Sequence, residues 1–163
     1  MPRNFFSPYL KVVVGESMVA SSAATLSALV LEVPIWAMFV GWIAYFTRGL
    51  TLRDGAINLV CVLMGIVLGI GAAHALSLLA PHLGAFAISA VVFAITVIAL
   101  SLAKAPVVNN LLGFFLGLVA YFASHLPPSL STFAELAIAA AVGAIAAFLA
   151  HALQKRVQRN AIA

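Results

Sequence analysis

Few side chains in this 163-residue sequence are equipped for chemistry, and most of them sit inside apolar runs. Glu135 has no cation on its face of the chain, and a carboxyl group in lipid is costly enough to mark a functional position by default. His74, His82 and His125 fall toward the same side, and imidazole changes charge near neutral pH. A pair made of Glu135 and His74 would suit proton transfer or gating. The competing reading is a neutral or wet Glu135 in a vestibule beside ordinary interfacial histidines. Asn58, Asn109 and Asn110 offer amides to the mouth of a path, or else cap helices. Trp42, Tyr45, Phe46, Tyr121 and Phe122 place aromatic groups along two related segments, where they would line a narrow solute path or form interfacial belts.

Other chemistries lack their residues. There is no nucleophile motif, zinc-ligand cluster, phosphate-binding glycine loop or dinucleotide fingerprint, so an enzyme is not expected and neither is a cofactor. The histidines follow no metal-ligand spacing. Cys61 is the single cysteine, which excludes a disulfide within one chain and reads as a packing residue. Gly65 and Gly69 form a small-residue helix-packing pair, not a phosphate cradle.

The elements that must position these residues follow from composition. Hydrophobic residues make up 65% of the sequence and charged residues 7%, against about a quarter charged in soluble domains. A hydrocarbon layer ~30 Å thick needs about 20 apolar residues per helix. Apolar runs cover roughly Val12 to Leu31, Pro34 to Phe46, Gly55 to Leu79, Leu83 to Leu102, Pro106 to Ala123 and Leu130 to Leu153. Pro34, Pro81, Pro106, Pro127 and Pro128 punctuate the connections, as at helix boundaries. The first run exceeds the apolar centre of a signal peptide and reads as a retained helix. The expected fold is therefore all-α, a single polytopic membrane bundle of six transmembrane helices.

Orientation follows from the basic residues, which concentrate in cytoplasmic loops. If all six runs cross, Arg3, Lys11, Arg48, Arg53, Lys104, Lys155, Arg156 and Arg159 share one side, eight to none. If the second and fifth runs dip in and return, the split becomes five to three. Six crossings with both termini cytoplasmic are preferred. The net charge of +4 is spread over loop ends; it calls for anionic lipid headgroups and no nucleic acid. Glu16, near Lys11, reads as a snorkelling or locally paired carboxylate. The hydroxyls of Ser17, Ser21, Ser22, Thr25 and Ser27 read as bonded to helix carbonyls.

An internal match adds symmetry. At an offset of 76 residues, Phe39 to Phe46 aligns with Phe115 to Phe122, and five of the eight positions are identical. Ala37, Gly41 and Ala44 pair with Gly113, Gly117 and Ala120, which places small residues on one helix face in each copy. Three helices per unit, about 10–79 and 83–155, would make the second copy inverted, as in many transporters. The middle helix of each unit is short, a pointer either to a solute path or to a helix inside the bundle.

The segment Ile35 to Phe46, followed by Gly49 and Leu50, resembles the small bacterial inner-membrane proteins of the YcdZ type. Ala80-Pro81-His82-Leu83 and the Gly113 to Gly117 stretch fit the same pattern. That family is classed as a domain of unknown function, so the resemblance implies an inner-membrane location and carries over no functional residues. The leading expectation is a channel or facilitator for a small uncharged or weakly charged polar solute, assembled as a homo-oligomer among membrane lipids. A proton-coupled transporter using Glu135 and a non-transporting scaffold or accessory subunit are the alternatives.

Overall fold

The computed structural model describes residues 8–162, and Arg3 with the opening segment lies outside them. Six helices follow one another: α1 (Pro8–Leu29), α2 (Ile35–Tyr45), α3 (Leu52–Leu83), α4 (Phe86–Leu102), α5 (Leu111–Ser124) and α6 (Leu130–Ile162). No strand occurs among the described residues. Three of the helices, α1, α3 and α6, are long and apolar enough to cross a membrane. The other three are shorter, at 11, 17 and 14 residues for α2, α4 and α5. Large apolar side chains cover the outside of the bundle, with Phe86 78% and Phe93 72% exposed. Water would not tolerate patches of that extent, whereas lipid would.

Local chemistry sets the boundaries. Glu32, at φ 52°, turns the chain between α1 and α2, and Pro34 then precedes the first turn of α2. Thr51 caps α3 by accepting a hydrogen bond of 3.1 Å from the Asp54 amide, satisfying one of the orphan donors of a helix start. Asn110 caps α5 the same way, accepting from the Gly113 amide at 3.2 Å. His125, at φ 53°, ends α5 in the left-handed conformation that closes many helices.

Two prolines depart from the boundary expectation. Pro81 lies inside α3, which continues to Leu83. Its ring removes a single backbone bond, to Ser77, and Ser77 sits on the exposed side of the last turns. Pro106 does not open α5; it belongs to the connection before Asn110, because the helix starts where a cap is available. At the other end of the sequence, α6 runs past Leu153 through Lys155, Arg156 and Arg159.

The core rests on two close crossings. Helix α2 lies along α6 and helix α5 along α3, each pair running parallel. A Cβ on Gly41 would strike the Ala140 backbone, and one on Gly143 would strike the backbone of Met38 and Trp42. In the second pair, Gly117 faces Val62 and Ile66 backbone atoms while Gly65 faces the Phe114 carbonyl. Only glycine lets helix axes approach this closely. Between the crossings lies a cluster including Val62, Ile66, Tyr121, Leu136, Ala139 and Ala140. Helix α1 flanks α6, and α4 flanks α3.

Candidate functional site

Buried polar side chains gather where the α2–α3 and α4–α5 connections meet. Asn58, one and a half turns into α3, is fully buried and donates through Nδ2 to the Tyr45 carbonyl and the Arg48 carbonyl, both at 3.2 Å. Those carbonyls are left over where α2 stops, so Asn58 completes a helix end that has run out of amide donors. Its Oδ1 accepts from Asn110 Nδ2 at 2.8 Å. Asn110 Nδ2 also donates to Thr47 Oγ1 at 2.6 Å, while Asn110 Oδ1 serves as the α5 cap. Both amide groups thus use both of their donors, which is what burial of an amide requires.

A charged rim surrounds this pair. Arg48 Nε lies 3.6 Å from Asp54 Oδ1, and Thr51 Oγ1 donates to Asp54 Oδ2 at 2.7 Å. The Arg48 guanidinium also donates to Asn109 Oδ1 and, at 3.4 Å, to the Val107 carbonyl. One arginine therefore joins the two connections across 59 and 61 residues of sequence.

Tyr45 extends the network to α6. Its ring is buried, and its hydroxyl lies 2.9 Å from His151 Nδ1 and 3.4 Å from the Leu50 carbonyl. Both contacts are satisfied when Nδ1 carries the proton, donates to the tyrosine oxygen, and the tyrosine hydroxyl donates to Leu50. Phe46 and Phe148 meet the Tyr45 ring edge-on at 5.1 and 6.3 Å.

The remaining candidates are more scattered. Trp42 is half-buried between Phe39 and Phe46, and Phe46 and Phe122 are 45% and 49% exposed. Tyr121 is buried with its ring over Gly69, far along α5 from the Asn110 cap. Glu135 is half-buried and His74 exposed, and no hydrogen bond or ion pair joins them among the described residues. Glu16 is half-buried and forms no ion pair with Lys11; a spacing of five residues puts the two side chains ~140° apart around a helix. No group of acidic, histidine or cysteine side chains suited to a metal occurs among the described residues.

The sequence does not single out His151, nor Thr47 and Arg48 as partners of the asparagines, nor Asp54 as the partner of Arg48. A signal for His151 exists. Leu136, Ala140, Gly143 and Ala147 recur at helical spacing, and His151 falls next on that stripe, which is the face α6 turns to α2. A histidine that continues a small-residue packing face must meet a polar partner there.

The geometry has two chemical consequences. The asparagine pair is saturated with protein partners, so it holds two connections together without an open donor. The pockets beside the bundle are apolar, for example the recess among Ala72, Val91, Phe115, Val119 and Phe122. No curated protein and no solved structure matches the sequence. Residues 13–151, from α1 to the His151 turn of α6, match a protein family whose function is unknown. The chain belongs to that family, the protein family of unknown function DUF1097.

Proposed function

We propose that this protein is a membrane facilitator for a small uncharged or weakly charged polar solute, built from two three-helix units of opposite orientation. The observation that carries this reading is the reciprocity of the two glycine crossings. Gly41 and Gly117 are equivalent in the 76-residue match, and they pack respectively on α6 near Gly143 and on α3 near Gly65. Each short helix of one unit thus lies against the long third helix of the other. Short helices at equivalent places in inverted units are a pointer to a substrate path in transporters.

In this reading all six helices cross, and α2 and α5, each with one face buried against a long helix and the other exposed, cross where the bilayer is thinned. Arg48 and Lys104 in the connections, with Arg53 in the first turn of α3, share the side of Lys11, Lys155, Arg156 and Arg159, which the positive-inside rule makes cytoplasmic. The resemblance to YcdZ-type proteins supports a bacterial inner membrane. The asparagine junction then forms the cytoplasmic mouth, and Tyr121 with Thr132 lies toward the outside. Val62, Ile66 and Leu136 pack together in the core between them, which in this reading corresponds to a closed path. Conduction requires the short helices to shift, with assembly into a homo-oligomer on the remaining apolar faces.

A second reading has one observation in its favour. Glu135 is half-buried and makes no ion pair among the described residues, which suits a carboxylate that binds and releases a proton during transport.

Flux through proteoliposomes tests both. Urea, glycerol, formamide and weak acids are followed by light scattering, with and without a pH gradient. Solute entry without a gradient, faster than in protein-free vesicles, is the expected result. Entry only with a gradient, abolished in Glu135→Gln, moves the assignment to coupled transport. No flux for any solute overturns both readings and leaves a scaffold or accessory subunit.

A further inference from the structure

A groove of about 520 Å³ runs between α1 and α6 on the outside of the bundle, lined among others by Met18, Ser22, Leu26, Val142, Ile145 and Leu149. It exists because its floor is made of small residues, Ala23 and Ala146, with Trp42 behind them. Met18 and Ile145 on its walls are 65% and 59% exposed, so it opens sideways toward lipid. A cavity of ~150 Å³ takes one six-carbon ring, so this groove has room for a chain of on the order of 15 to 20 carbons.

One end of the groove is positively charged. Gly15 of α1 faces Leu153 of α6 and Ala23 clusters with Ala146, so the two helices run antiparallel and the start of α1 lies beside the last turns of α6. Lys11 lies seven residues before Met18 and eleven before Ser22, within about 20° of both around the helix at ~100° per residue. Arg156 bears the same relation to Leu149 and Ile145, seven and eleven residues on. Each wall of the groove therefore continues into an exposed cation. Neither takes part in an ion pair among the described residues.

We propose that this groove is a binding site for an anionic phospholipid, with one acyl chain along Ala23 and Ala146 and the phosphate between Lys11 and Arg156. Charge complementarity selects this occupant. A second copy docking through this same face in the same membrane orientation would set its own Lys11 and Arg156 against these two cations, and a zwitterionic lipid would cancel part of their attraction. The site is independent of whether the protein conducts a solute.

Trp42 is a built-in reporter, since it packs with Val19, Ala23, Val142 and Ala146, and Trp36→Phe leaves it as the sole tryptophan of the two. Quenching of its fluorescence is measured in proteoliposomes holding brominated-chain phosphatidylglycerol or brominated-chain phosphatidylcholine at equal mole fraction. The expected result is a preference of about tenfold for the anionic lipid, from roughly fivefold per cation before screening. Lys11→Ala with Arg156→Ala, both exposed positions that leave the bundle intact by gel filtration, abolishes the preference. Ser22→Phe fills the groove and lowers quenching by both lipids. Equal quenching by the two lipids, a preference that survives in the double variant, or no quenching by either because a second copy covers the groove, overturns the proposal.

Discussion

Asn58 and Asn110, 52 residues apart, share a buried hydrogen bond of 2.8 Å that ties α3 to the start of α5. Everything around it depends on both partners, because Asn58 also holds the Tyr45 and Arg48 carbonyls.

Asn58→Ala therefore leaves an amide donor and two carbonyls without partners in a buried place. Each unsatisfied group costs about 1–3 kcal/mol, so the variant is expected to lose at least ~2 kcal/mol and to melt several degrees lower in detergent. Asn58→Asp is expected to do no better, since it deletes both donors to the carbonyls. Thermal unfolding followed by circular dichroism, or by Cys61 reactivity, reads the effect.

The glycine crossings make a sharper contrast. Ala in place of Gly143 or Gly117 drives a methyl into the backbone of the neighbouring helix, and overpacking of this kind costs about 1–3 kcal/mol or more. Gly71 has nothing within 4 Å of its added Cβ, so Gly71→Ala is expected to be neutral or to stabilise α3 by up to ~1 kcal/mol. A melting series across the three variants checks the ranking.

The link between Tyr45 and His151 spans 106 residues at 2.9 Å. Tyr45→Phe keeps the buried ring and removes the hydroxyl, so a loss of about 1 kcal/mol is expected. His151→Phe on its own costs a similar amount. In the double variant the costs fall short of additivity by about 1 kcal/mol, because the same bond is lost only once. A double-mutant cycle on detergent-solubilised protein measures that coupling.

The sequence alone makes the helical class and the long helices legible, because apolar runs and caps are local properties. The run from Val12 to Leu31 became α1 with its ends shifted by a few residues. Pro81 was less legible: a proline near a helix end removes a single bond, and whether the helix tolerates it depends on the exposure of Ser77, which is a tertiary property. Asn110 showed in the sequence as a polar pair before an apolar segment, which is where a cap belongs. Its bonds to Asn58 and Thr47 did not, since these side chains meet it only after two connections fold over each other. His151 is hard to read because it follows an unbroken run of alanine-rich turns, where the apolar composition hides the one polar position on the packing face.

The left-handed turn at Glu32 gives a further expectation. A side chain there is strained, with φ at 52°, and glycine would relieve it. Glu32→Gly is expected to stabilise the connection between α1 and α2 by up to ~1 kcal/mol. Limited proteolysis at this turn in detergent is expected to slow accordingly.

The central claim is that the two three-helix units are inverted and that all six helices cross. It is tested most directly by labelling single cysteines, placed one at a time in a Cys61→Ala background, with a membrane-impermeant maleimide in intact cells. Leu31, Ala85 and Pro127 lie in or beside the α1–α2, α3–α4 and α5–α6 connections; Leu50, Val107 and Asn160 lie at the opposite end of the bundle. The account predicts that the first three label in intact cells and the second three only after the membrane is opened. Labelling of Leu31 and Leu50 from the same side, or of Val107 and Pro127 from the same side, would show that α2 or α5 does not cross and would contradict the inverted arrangement.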